Sequence, residues 1–195
     1  MKIKEIIGYF IPEPVTLSGV EQIRSVCAAF IAISILMLIS WYSLEGLAVP
    51  LILASMGASV VILFTSYNSP FAQPWSFVGS HFIATFVGVT CAQWIEPIWL
   101  AGALSVSITL LAMLRLHCLH PPGGATALVP ILGGQAVHDL GYQLLIMPVL
   151  LNVTVLLVLA WIINRLLKFS VFVFPFRFYR NWRDNIPVFY NFTIF

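Results

Sequence analysis

Between Leu119 and Gly134 the chain reads LHPPGGATALVPILGG, which places three prolines and four glycines among segments apolar enough to be buried in lipid. Proline removes a backbone donor and clashes with the preceding turn, and glycine loses helix stability to chain entropy. The stretch cannot be one regular spanning helix. In hydrocarbon, each unpaired backbone group costs about 2 to 7 kcal/mol unless it is packed in protein or lines a wet cavity. The stretch therefore predicts a broken helix at a binding site.

The surroundings support a membrane setting. Of 195 residues, 61% are hydrophobic and 8% charged, with a mean hydropathy of +1.01, whereas soluble chains carry roughly 25% charged residues. This is the composition of an integral membrane protein. No polar linker divides the chain, so residues 1–195 read as a single transmembrane domain. A net charge of +2 is too small to suggest nucleic acid. The start, MKIKEIIGYFIPEP, has no cleavage site after an apolar core and does not read as a removable signal peptide. Cys27, Cys91 and Cys118 lie in or beside apolar segments without paired spacing and are expected to be buried free thiols.

Six apolar segments follow in order. Residues 1–12 suit a short amphipathic stretch on the membrane surface. Ser18 and Glu21 have capping-box spacing and start helix 1, which runs to about Ser43. Segment 2, Leu47–Ser66, is interrupted at Pro50 and at Met56–Ser59, and the YNSPFAQP run from Tyr67 to Pro74 is turn-rich. Helix 3 covers Trp75–Ile95, and helix 4 covers Ile98 to about Met113 with small residues suited to close contact. Segment 5 is the broken stretch itself. Helix 6 is expected from Tyr142 to Leu167, and the Arg- and aromatic-rich tail 168–195 should lie on the membrane surface.

Lys2, Lys4, Arg24, Arg115, Arg165, Lys168, Arg177, Arg180 and Arg183 fall on one side of this path, and Glu45, Glu96 and Asp139 on the other. The asymmetry places both termini in the cytoplasm. A four-crossing arrangement, with segments 2 and 5 re-entrant, is the alternative.

An internal repeat adds to this. Gly57, Ala58 and Ser59 recur 67 residues later as Gly124, Ala125 and Thr126. The same offset maps residues 23–95 onto 98–167, three segments onto three. An odd number of segments inverts the second half, so the fold class expected is all-α with two inverted three-segment repeats and broken segments 2 and 5. Such plans bring interrupted helices together near the bilayer midplane, with N-terminal ends toward an anionic substrate. Close packing alone would also account for the small residues.

A small anion needs hydrogen-bond donors without a strong fixed charge, or it would enter and never leave. Backbone amides at a helix N-terminus meet that need. With a half-helix starting near Pro122, the amides of Gly123, Gly124, Ala125 and Thr126 would be the free donors, and the Thr126 and Ser59 hydroxyls would add one each. Gly57 and Ala58 belong to the facing break. His120 would tune the site, as a donor or as carrier of a co-transported proton, or would simply cap a neighbouring carbonyl. His81 either faces the same cavity or packs within helix 3. Arg115 and His117 are vestibule candidates. His117 and His120 form HxxH, but without a carboxylate or thiolate at ligand spacing no metal is expected.

The HPPGGAT run, the upstream GAS and the stretch from Ser69 to His81 together resemble the HPP family of small membrane proteins. Its name matches the triplet His120, Pro121 and Pro122. The resemblance covers nearly the whole hydrophobic region, and Ser80 stands where a second glycine is expected. Members in plastids and cyanobacteria are associated with nitrite transport, and family descriptions usually count four spanning helices. Some members append soluble regulatory domains. The resemblance implies transport of a small anion such as nitrite, across an inner (plasma) membrane of bacterial or cyanobacterial type.

The expected function is thus a channel or transporter for a small inorganic anion in a lipid bilayer, with no cofactor and no enzymatic activity, and open to homo-oligomer formation. No carboxylate lies deep in a segment to act as a proton relay, and no GxxxxGK[ST] loop is present to bind ATP. A membrane-embedded enzyme using His81, His117 and His120, or a structural subunit, are the competing classes.

Overall fold

The computed structural model describes residues 17–42 and 54–166. The calls on residues 1–12, Glu45, Pro50 and the tail 168–195 lie outside the described residues. Every regular element described is helical: α1 (Gly19–Tyr42), α2 (Ala54–Thr65), a 3₁₀ turn (Pro70–Ala72), α3 (Pro74–Trp94), α4 (Ile98–Arg115), α5 (Pro122–Leu132), α6 (Gln135–Leu140) and α7 (Leu151–Leu166). Four stretches are long and apolar enough to cross a bilayer, namely Gly19–Ile39, Pro74–Trp94, Ile98–Arg115 and Gln135–Leu166.

The remaining two apolar helices are short. At 1.5 Å per residue, the 12 residues of α2 and the 11 of α5 reach only about 16 to 18 Å, roughly half of a 30 Å hydrocarbon core. They correspond to the expected segments 2 and 5, but α2 runs unbroken through Met56–Ser59, where an interruption was expected: a single glycine among small residues lowers helix stability without removing a backbone donor. The predicted half-helix start at Pro122 is where α5 begins.

Local chemistry explains the helix ends. Ser18 and Glu21 form the expected capping box, the Ser18 amide donating to Glu21 Oε2 at 2.8 Å and the Glu21 amide to Ser18 Oγ at 3.3 Å. The Tyr67 hydroxyl donates to the same carboxylate at 3.3 Å, tying the α2–α3 turn to the start of α1. Burial, with the Glu21 charge beside it, pushes the Tyr67 phenol above its ordinary value. Helix 6 departs from expectation. The backbone is a 3₁₀ turn over Gly141–Leu145 and breaks at Met147 (φ −130°, ψ 118°), so α7 starts only at Leu151. Pro148 is the cause, since it lacks an N–H and drives the preceding residue out of the helical region.

Ala28, Ala32 and Leu36 recur every four residues along one face of α1 and are buried against Met56, Val60 and Leu63 of α2 and Val153, Leu156 and Ala160 of α7. The opposite face, with Val26, Phe30 and Met37, is exposed and suited to lipid. Cys27 is also exposed there, contrary to the expected buried thiol, because it falls on that outward face; Cys91 and Cys118 are buried and free.

On the other side, α3, α4 and α5 pack together. Gly123 meets Ser80, and further along Ala127 and Pro130 meet Gly88, so α3 and α5 run side by side in the same direction. Ser55 meets Thr126, while Ser59, one turn on, meets His120, so α2 runs opposite to α5. The Trp75 indole donates to the Leu116 carbonyl at 3.0 Å, which puts the start of α3 and the end of α4 at one end of the bundle.

Lipid is as apolar as leucine, so close packing and hydrogen bonds between helices carry the stability that burial gives in water. Two buried bonds of this kind run from a hydroxyl to a backbone carbonyl of another helix: Ser25 Oγ donates to the Phe64 carbonyl at 2.7 Å, and Ser105 Oγ to the Ala127 carbonyl at 2.8 Å. Ser105→Ala should lower stability by about 1 kcal/mol. A thermal-unfolding midpoint unchanged from the parent would contradict this.

Candidate functional site

The α5 start is built by the HPPGG run. The Gly123 amide donates to the His120 carbonyl at 2.9 Å and the Gly124 amide to the Pro121 carbonyl at 3.0 Å, while Pro122 occupies the first turn, where no donor is needed. The first two of the expected free amides are therefore paired within the turn. Gly123 is required by space, because a Cβ there would lie 3.0 Å from Ser80 Cβ and 3.2 Å from Met113 Sδ. Ser80, in place of the expected second glycine, is the reason this approach is so tight. At Gly124 and Gly57 a Cβ would meet nothing.

The turn before α3 supplies the next part. The Ser69 side chain accepts from the Phe71 amide at 3.2 Å and holds a single 3₁₀ turn. This aims the Phe71 carbonyl at His120 Nδ1, 2.7 Å away. One reading of His120, as the cap of a neighbouring carbonyl, describes this bond.

The other ring nitrogen enters a closed polar chain. His120 Nε2 lies 2.8 Å from Ser59 Oγ, which lies 3.1 Å from His81 Nε2. His81 Nδ1 lies 2.7 Å from Thr126 Oγ1, and Thr126 Oγ1 lies 2.7 Å from Ser55 Oγ. Longer contacts run from Ser59 Oγ to the Ser55 carbonyl at 3.1 Å and from Thr126 Oγ1 to the Pro122 carbonyl at 3.4 Å. Ser59, His81 and His120 are fully buried, with Thr126 at 1% and Ser55 at 3% exposure. The Phe77 ring stands edge-on to both imidazoles, with centroids 5.1 and 5.4 Å away, and seals one side.

Donor and acceptor inventories set the protons when both rings are neutral. The Phe71 carbonyl can only accept, so His120 carries its hydrogen on Nδ1 and accepts at Nε2 from Ser59. The Thr126 hydroxyl donates to Ser55 Oγ, so its oxygen accepts from His81 Nδ1–H, and the Nε2 atoms of His81 and His120 both face the single hydroxyl hydrogen of Ser59.

Of the expected site residues, Ser59, His81, His120 and Thr126 converge here. Gly123 packs directly behind them. Gly57, Ala58 and Ala125 are exposed, and Gly124 is half-buried. Arg115 and His117 are exposed at the end of α4, so the two histidines of HxxH sit in different surroundings. Among the described residues no three His, Cys, Asp or Glu side chains gather as a metal site would need. Two participants were not foreseen: Ser55 and the Phe71 carbonyl. Ser55 sits one helical turn before Ser59 on the same face, a spacing that reading α2 as a helix would have exposed. A backbone carbonyl leaves no mark in a sequence.

Two transmembrane proteins of Dictyostelium discoideum are similar to this chain. One is 32% identical over 141 residues, 70% of this chain and 49% of the relative; the other is 31% identical over 152 residues, 74% of this chain and 49% of the relative. The chain thus spans about half the length of these curated relatives. No solved structure matches it. The model of the HPP transmembrane region matches residues 14–171, which include every element described, and the chain is an integral membrane protein belonging to the HPP family.

Proposed function

We propose that this protein moves a small inorganic anion, nitrite first among them, across a membrane at the point where α2 and α5 meet. The observation that carries the reading is the polar chain itself: two short antiparallel helices, both bounded by breakers, bring hydroxyls and imidazoles together in a place closed to solvent. Polar groups buried at such depth are costly unless fully bonded, and broken helices are tolerated in membranes where they form sites. With the Gly123 and Gly124 amides committed to the turn, the hydroxyls of Ser55, Ser59 and Thr126 and the two imidazoles are the groups an anion would engage.

The same reading takes the chain as six crossings in two inverted repeats, with both termini on the cytoplasmic side of an inner membrane. The 67-residue offset that carries Ser59 onto Thr126 also carries the end of α2, Thr65, onto the end of α5, Leu132. Arg24 and Arg115 gather at one end of the bundle, through the contact of Ser25 with Phe64 and of Trp75 with Leu116. An enzyme built on His81, His117 and His120 finds less support, since His117 is exposed and apart from the others.

Nitrite flux into liposomes containing the purified protein is the direct test, with chloride as the comparison anion. Thr126→Val, which removes one hydroxyl and keeps the shape, should weaken nitrite binding by about 0.5 to 1.5 kcal/mol, or up to roughly tenfold. Parent-like flux and affinity in that variant would remove the polar chain from the transport path.

A further inference from the structure

We infer that the place where α2 and α5 meet accepts a monovalent anion only together with one proton, so that the pair it binds carries no net charge. The inference deepens the transport reading and rests on it for the choice of anion. Its ground is a count of hydrogens. Ser59 Oγ has three neighbours within bonding distance: the Ser55 carbonyl at 3.1 Å, His81 Nε2 at 3.1 Å and His120 Nε2 at 2.8 Å. The His120 hydrogen sits on Nδ1, against the Phe71 carbonyl, and the His81 hydrogen on Nδ1, against Thr126, whose own hydrogen goes to Ser55. With neutral rings, all three neighbours of Ser59 are therefore acceptors, and one hydroxyl hydrogen serves them all. An imidazole lone pair is left facing an oxygen lone pair where no solvent reaches, and such a mismatch is costly.

One added proton removes the conflict between the rings. Bound at either Nε2 atom, it donates to the Ser59 oxygen, and the Ser59 hydrogen turns to the other Nε2. The remaining bonds keep their direction, Thr126 to Ser55 included. The proton belongs to the pair of rings and not to one of them. Its charge is what opposes it, since a buried cation without a partner is strongly unfavourable. An anion arriving with the proton supplies that partner. One positive charge is added at the rings and one negative charge beside them, and when both leave the rings are neutral again. Ser55 is the group that meets the anion: its oxygen accepts from Thr126, its own hydrogen has no acceptor among the described residues, and it stands in the first turn of α2 at the edge of the cluster. A bare anion would face the ring lone pairs, and a divalent one would keep an uncompensated charge. The substrate class is thus a monovalent anion with its proton.

The surroundings offer no other counter-charge. The sequences of α2, α3 and α5 contain no Asp, Glu, Lys or Arg. Cys91 is in the last turn of α3, and Tyr142 and His138 lie beside Thr90 and Ala92, with Asp139 next in the chain, all well along the helix from His81. Toward the other end, Tyr67 is engaged with Glu21 of α1, and Cys118 lies under Gly79. Arg24 near the start of α1, Arg115 and His117 at the end of α4, and Arg165 in the last turn of α7 are exposed.

Isothermal titration calorimetry of the full-length protein in nanodiscs tests this, with nitrite as the probe and buffers of different ionisation enthalpy to count the protons taken up. One proton per anion is expected. Because that proton is bound in the complex and absent from the empty site, binding should weaken about tenfold for each pH unit from about pH 6 to pH 8. Sulfate should not bind. His81→Gln places a fixed amide hydrogen against Ser59, so it should bind nitrite more weakly, with no proton uptake and a flat pH profile, whereas Ser59→Thr keeps the hydroxyl and should keep the uptake. A parent that binds nitrite without a proton, that binds sulfate equally, or that binds no nitrite overturns the inference, whether or not the variants fold. Parent-like uptake in folded His81→Gln does the same. Nitrite flux into liposomes without proton uptake would remove the inference and leave the transport reading standing. One-proton binding without flux would support the inference and remove the transport reading.

Discussion

Gly88→Val should leave little folded protein in the membrane. Gly88 faces α5, and a Cβ there would run into the Ala127 carbonyl, with Pro130 Cγ at 3.1 Å behind it. A backbone oxygen in a helix cannot turn aside as a side chain does, so the two helices must separate. The Ser105 bond to the same carbonyl would then go as well. Overpacking of a core commonly costs about 1 to 3 kcal/mol, and loss of that bond adds about 1 kcal/mol. The comparison is Gly124→Ala, whose Cβ meets nothing and whose helix propensity improves by about 1 kcal/mol. Size-exclusion profiles and unfolding midpoints of the two variants should diverge sharply. Equal behaviour would show that α3 and α5 do not pack as described.

The second large effect is at His120. His120→Ala removes the ring that joins the Phe71 turn to α2 and α5, leaving the Phe71 carbonyl and the buried Ser59 hydroxyl without their shortest partners. An orphaned buried polar group costs about 1 to 3 kcal/mol, and deleting a buried ring against Phe77 adds a cavity cost of similar size. The expected result is a loss of about 3 to 5 kcal/mol in stability together with loss of nitrite flux. His120→Gln, whose amide can still donate to the Phe71 carbonyl, should recover part of the stability. Were His120→Ala as stable as the parent, the polar chain would not be holding the two short helices together.

Much of this was legible before any coordinates. Proline and glycine act locally, through a missing donor and a missing Cβ, so the start of α5 at Pro122 and the short length of α5 follow from its own residues. The capping box at Ser18 and Glu21 is likewise a three-residue event. Where expectation went astray, the missing information was distant or overlooked. Helix 6 was read through Pro148 as if the donor were present. The Gly123 and Gly124 amides were expected to be free, whereas the His120 and Pro121 carbonyls fold back onto them.

The sequence alone determined that this is a helical membrane protein, that two of its apolar segments carry proline and glycine breakers, and that His120, Thr126, Ser59 and His81 belong among the candidate residues. Those conclusions rest on composition and on short-range backbone chemistry, which a linear chain carries in full. Only the tertiary structure decided which polar groups meet. Ser55 reaches Thr126 across 71 residues and His120 reaches the Phe71 carbonyl across 49, and nothing in either local stretch encodes its partner. Which atom donates is a property of the whole set of partners, so the proton arrangement exists only once the helices have packed.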